Sequence, residues 1–113
     1  MTRLSERILK ELEAELIANR ARYDVTIENF SENGMNVREE FTNRAVDYLP
    51  DETLDLEFKI PSREVLSLHC KVIWSSKISS ESLKQNIGLE ITENSPEYED
   101  FFKNLRIDNN FFL

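Results

Sequence analysis

Hydrophobic and polar residues alternate along much of this chain with a period of two. Tyr23, Val25 and Ile27 alternate with Asp24, Thr26 and Glu28, and Met35 and Val37 resume the pattern after a polar interruption. This is the signature of half-buried strands. Leu54, Leu56, Phe58 and Ile60 stand against Asp55, Glu57 and Lys59 in the run Thr53 to Ile60. Val65 to Trp74 is the longest run and puts Leu66, Leu68, Cys70, Val72 and Trp74 on one face. Asn86 to Ile91 is the last, and its Gly88 suggests a bulge or a close backbone approach.

The interruptions are turn-like. Asn29, Ser31, Asn33 and Gly34 form the first polar cluster, with side chains suited to bonding nearby backbone and a glycine free to take positive φ or to admit a close neighbour. Residues 38–52 are mixed and polar, Pro50-Asp51 and Pro61 to Glu64 read as turns, and Ser75 to Gln85 is a connection rich in Ser and Lys. Several short strands separated by turns predict an all-β chain, a closed or nearly closed antiparallel barrel.

Two stretches carry helical spacing instead. Ser95-Pro96 reads as an N-cap and first helical residue, with Glu97, Glu99 and Asp100 at the positive end and Tyr98, Phe101, Phe102 and Leu105 as the apolar stripe. Leu4, Ile8, Leu9, Leu12, Leu16 and Ile17 also fit i, i+4 spacing, so residues 4–17 by themselves read as an amphipathic helix. The sequence ends in an apolar Phe111-Phe112-Leu113.

Composition narrows the function. A chain of 113 residues, 40% hydrophobic and 32% charged, is one soluble globular domain. It has no apolar run near the roughly 18 residues that span a bilayer and no secretory leader, so no membrane association and a cytoplasmic location are expected. A lone Cys70 agrees with a reducing compartment. The net charge of −8 argues against nucleic-acid polymers. Residues 1–22 carry a net +1 and residues 23–113 a net −9, so an anionic ligand must be met by a few placed arginines. That favours a small phosphate ligand.

Catalysis is not expected. His69 and Cys70, the only His and Cys, are strand neighbours on opposite faces. There are too few ligands for a metal site and no glycine loop for a nucleotide triphosphate or dinucleotide. The pairs Glu39-Glu40 and Asp51-Glu52 read as solvated charge in loops.

Two short motifs carry a more specific reading. Arg3-Leu4-Ser5-Glu6-Arg7 spells Arg-x-x-x-Arg, and Asn29-Phe30-Ser31-Glu32-Asn33-Gly34 spells Asn-x-Ser-x-x-Gly, with 21 residues between them. Taken singly, the arginines fit a solvated helix face and the second motif a plain hairpin. Together, at this spacing and ahead of this strand pattern, they resemble the signature of the PilZ domain, a bacterial receptor for cyclic di-GMP. The resemblance spans roughly Thr2 to Leu105.

The resemblance implies a six-stranded antiparallel PilZ-type β-barrel with a C-terminal helix. It divides the chain into a flexible arm (1–10), a barrel (11–91), a helix (95–106) and a tail (107–113). It makes Leu12 to Ala18 a strand with Ala14, Leu16 and Ala18 on one face, followed by a hairpin turn at Asn19–Arg22. Arg3 and Arg7 would grip the phosphates and bases of cyclic di-GMP, Asn29 and Ser31 would meet guanine edges or backbone, and Gly34 would leave room for a base. Arginine suits both tasks through its planar fork of donors. Trp74 would offer an apolar face to the ligand, although a strand tryptophan also fits the core. No cofactor or metal is implied.

The arm would fold over the Asn29–Gly34 surface on binding and so signal to a protein partner. The alternative is a PilZ-like adaptor that binds protein only, with a helical arm and the 111–113 tail as anchor. A homodimer through the helix or tail fits either reading. Family outputs include motility, biofilm polysaccharide and virulence.

Overall fold

The first hairpin closes in two residues, Asn19 and Arg20, both left-handed at φ 50° and 67°. That geometry matches the twist of the strands it joins. In the computed structural model, which describes residues 7–40, 47–77 and 84–110, this hairpin joins β1 (Ile8–Ala18) to β2 (Ala21–Ser31). There follow β3 (Gly34–Glu40), β4 (Thr53–Lys59), β5 (Val65–Lys77), β6 (Lys84–Ile91) and α1 (Pro96–Asn110). The six strands form a closed antiparallel barrel in the order β1-β2-β3-β6-β5-β4, with β4 returning to pair with β1. The expected all-β barrel with a C-terminal helix is thus what the chain forms.

Inward positions follow the alternation. Leu16, Ile27, Val37, Leu56, Val72 and Ile87 are fully buried, and Ala14 and Ala18 join Leu16 on the inner face of β1. The barrel is plugged at one mouth by α1. Ser95 caps the helix, its Oγ accepting from Tyr98 N at 3.1 Å. The helical stripe Tyr98, Phe101, Phe102 and Leu105 is buried as the sequence predicts. Phe101 packs edge-on to Phe30 of β2 at 5.3 Å and lies 5.6 Å from Phe58 of β4, so one aromatic cluster ties helix to barrel.

The helical spacing over residues 4–17 is overridden. From Ile8 onward the chain is strand, paired with β2 on either side of an irregularity at Lys10-Glu11 and with β4 over Ala14 to Ile17. Leu9, apolar on the helical reading, is 79% exposed. Two-sided ladder pairing outweighs the modest helix preference of Leu, Glu and Lys here. The strand also takes in positions 8–10 of the expected arm, and α1 continues to Asn110, past the expected end at 106.

Other boundaries move for similar reasons. The turn of the second hairpin is Glu32-Asn33 alone, and Asn29 and Ser31 lie inside β2. Gly34 does not take positive φ. A Cβ there would lie 2.0 Å from the Leu89 carbonyl oxygen of β6, so the close approach that requires glycine comes from the neighbouring strand.

Glu39 departs from the expectation of solvated charge. It points into the barrel from β3, only 2% exposed, and accepts from Gln85 Nε2 at 3.2 Å and Tyr48 Oη at 3.3 Å. Its neighbour Glu40 is exposed, as strand alternation requires. Burial raises the Glu39 pKa above the ordinary 4.5, and the two hydrogen bonds only partly offset this.

Two outcomes are expected. Gly34→Ala should lower stability by ~3 kcal/mol or more in urea titrations, because the obstructing atom is backbone. Glu39 binds its proton more tightly folded than unfolded, so its contribution is greatest at low pH and is lost as pH rises from about 4.5 through the raised value. Glu39→Gln should therefore melt higher than the parent at pH 7, with the gap closing near pH 4; a constant gap would contradict this.

Candidate functional site

The site is built on breaks in the alternation. Between Ile27 and Asn29 the register of β2 against β3 shifts by one residue, and between Val72 and Trp74 that of β5 against β6 does the same. Each shift is a β-bulge, and a single extra residue reverses which face the next side chain occupies. Ile27 points inward, Asn29 outward and Phe30 inward again. Likewise Val72 is buried while Ile73 and Trp74 are 44% and 41% exposed. Trp74 therefore leaves the inner face that it shares with Cys70 and Val72 in a strict period-two reading, because the bulge turns it out.

The two bulges present their residues on one exterior row. Leu9 pairs with Asn29, Asn29 with Asn36, Asn36 with Gly88, and Gly88 with Trp74. At the usual strand spacing the row from Asn29 to Trp74 is about 14 Å long. Gly88 is the low point: a Cβ there would meet Trp74 Nε1 at 2.3 Å, so the indole lies over the glycine.

One end of the row carries the positive charge. Arg7, just before β1, donates from Nη1 to Asn29 Oδ1 at 2.9 Å. This bond joins the two sequence motifs across 22 positions. Because Asn29 Oδ1 accepts from the guanidinium, its amide N–H2 is the part left to face outward as a donor. Arg38, next on the outer face of β3 after Asn36, is held by Glu28 Oε2 at 2.7 Å.

Beneath this corner the other motif residues are engaged with the barrel. Ser31 is 4% exposed, and its Oγ donates to Gly34 O at 3.2 Å. Tyr98 Oη of α1 donates to Ser31 O at 2.6 Å, with Gly34 O as a second acceptor at 3.3 Å. Burial pushes the Tyr98 phenol up from its ordinary value, so it stays a donor, and the nearby Arg7 works against that shift. Ser31 and Gly34 thus shape the corner, and the groups at its surface are Arg7 and Asn29. Arg3 lies outside the described residues, as does the 111–113 tail.

The structure brings Arg7, Asn29, Ser31 and Gly34 together and sets Trp74 at the far end of the same row. Asn36 and Tyr98 had no mark in the sequence as site residues. Asn36 follows from register alone, and Tyr98 was legible only as part of the helical stripe. His69, exposed, and Cys70, 1% exposed, sit on opposite faces of β5. Among the described residues no cluster of His, Cys, Asp or Glu could hold a metal ion.

Comparison with known proteins fits this arrangement. The sequence profile of the PilZ domain matches residues 1–105. The chain belongs to the PilZ family. Cyclic di-GMP is the ligand of that family, which consists of binding domains. Among solved structures, the PilZ chain superimposes on the Bacillus subtilis inhibitor of motility (MotI/DgrA) with a TM-score of 0.78 at 16% identity, covering 98% of this chain and 52% of that one. It therefore spans about half the length of that protein. It superimposes on the PilZ domain of YcgR from Escherichia coli, solved with c-di-GMP, with a TM-score of 0.69 at 14% identity, covering 91% of this chain and 87% of that one. At such identities the likeness is one of fold. No curated protein matches the chain. No described helix is long and apolar enough to cross a membrane.

The contact between Gly88 and Trp74 can be tested in this PilZ barrel. Gly88→Ala should force the indole off the strand and shift the emission of the single tryptophan, while stability changes by no more than ~1 kcal/mol. Unchanged emission would contradict the stacking.

Proposed function

We propose that this PilZ domain binds cyclic di-GMP on the exterior row of the barrel and signals the event to a protein partner. The Arg7–Asn29 bond carries the reading, since it holds the guanidinium of the first motif against the second motif. A phosphate or guanine edge arriving there meets the Arg7 fork and the Asn29 amide, both matched to phosphate oxygens or to guanine O6 and N7. Arg3 adds the second cation from the preceding residues. Ser31 and Gly34 act by holding the β2–β3 corner in shape rather than by touching the ligand. The Trp74 indole, outward over Gly88, offers a stacking surface to a base.

With a net charge of −8, the chain repels polyanions in general. Affinity therefore rests on short-range, bidentate contacts, which suits a compact second messenger. Binding moves Arg7 from its Asn29 acceptor to the ligand, so that the arm before β1 folds over the Asn29–Gly34 surface and changes what can dock beside it. The reading includes a cytoplasmic location and no enzymatic step. The shared fold with the Bacillus subtilis inhibitor of motility makes swimming the first output to assay, with biofilm formation next. The second reading is a protein-only adaptor, favoured by the internal engagement of the Ser31 hydroxyl.

Calorimetric titration separates the two. Cyclic di-GMP should bind the parent, and Arg7→Ala should weaken it roughly tenfold to a hundredfold, the range for losing a charge-assisted contact, with an unchanged circular dichroism spectrum. Absence of heat in the parent at millimolar ligand would leave the adaptor.

A further inference from the structure

The buried stripe of helix α1 has a flank beside the β4–β5 turn. There Ile60 and Pro61 of the β4–β5 turn meet Phe101 and Leu105 across a groove of about 400 Å³. This is within the size range of concave sites that take up ligand groups. Ile107, 56% exposed, extends the apolar strip toward the end of the helix, because Glu97, Asp100, Asn104 and Ile107 follow one another at helical spacing.

The rim of this groove is acidic. Glu64, Glu97 and Asp100 line it, and among the described residues none of the three pairs with a cation. Some exposed carboxylates elsewhere on the barrel do find cations. Glu15 and Glu57 share Arg22, Glu28 holds Arg38 and Glu90 faces Lys71. Ser62 and Ser95 hydroxyls reach Glu64 and Glu97 only at 3.4 Å. Three unneutralised carboxylates around an apolar floor form a surface with a defined complement.

We propose that this groove docks a basic amphipathic segment of a partner protein. Its apolar side chains enter between Ile60, Pro61, Phe101 and Leu105, and flanking Lys or Arg side chains meet Glu64, Glu97 and Asp100. This is recognition of an amphipathic strip by an apolar groove, with rim charges steering the encounter. A second copy of the chain fits less well, since each carries a net charge of −8. An anionic membrane surface meets the same acidic rim. The proposal needs no nucleotide, so it stands or falls separately from the cyclic di-GMP reading.

The test uses isotope-labelled full chain without nucleotide. One synthetic twelve-residue probe carries Leu at i, i+3, i+4 and i+7 with Lys at the remaining positions; a control peptide replaces every Lys with Glu. The Lys peptide should shift the amide resonances of residues 60–64 and 97–107, and the Glu peptide should shift none. The double variant Glu97→Lys, Asp100→Lys changes only exposed side chains, so its circular dichroism spectrum should match the parent, although its melting point falls through loss of acids at the positive end of the helix. Its affinity for the Lys peptide should fall at least about tenfold. The proposal is overturned by no shifts at millimolar peptide, by shifts centred elsewhere on the barrel, by equal binding of both peptides, or by unchanged affinity in the double variant. Groove shifts that grow with protein concentration in the absence of peptide would assign the face to a second copy and overturn it too.

Discussion

Every side chain on a strand of a closed barrel must point either in or out, and the rest of this structure depends on two of the three places where that parity is broken. Closure leaves no edge on which an error of register can relax. A one-residue bulge in β2 and another in β5 therefore reverse the parity locally and turn Asn29 and Trp74 outward. Without the first bulge, Asn29 would fall on the inner face with its amide buried and unpaired, which is costly. Without the second, Trp74 would compete with the aromatic cluster for the interior.

Helix α1 converts this decorated barrel into a positioned site. Its aromatic stripe fills the mouth against Phe30 and Phe58, and the Tyr98 hydroxyl reaches the carbonyls at both ends of the Glu32-Asn33 turn. A buried phenol bonded to backbone fixes the turn more firmly than the two turn residues could, because unmaking the bond leaves polar atoms dry. The flank of the same stripe, at Phe101 and Leu105, borders the groove beside the β4–β5 turn. One element thus borders both the Arg7 corner and the acidic groove.

Charge is distributed with similar economy. The chain is strongly acidic, yet the cation at the corner is held by the neutral amide Asn29 rather than by a carboxylate. A neutral acceptor orients the guanidinium without cancelling its charge, so the positive field remains for a ligand. Arg22 and Arg38, locked to Glu15, Glu57 and Glu28, contribute surface order instead.

The sequence by itself determined strands β2 to β6, the capped helix with its buried stripe, and the two motifs, because periodicity, capping and short-range spacing are local properties. It placed Arg7 and Asn29 at one ligand site through family resemblance and gave no contact between them. Tertiary structure decided what local pattern cannot encode. Residues 8–17 became strand because β2 and β4 pair with them, against their helical spacing. Glu39 was buried because β3 parity points it inward where Gln85 and Tyr48 meet it. Asn36 and Trp74 joined the site's row because bulges are written in the relation between strands, and alternation read along one strand cannot reveal a residue inserted relative to its neighbour.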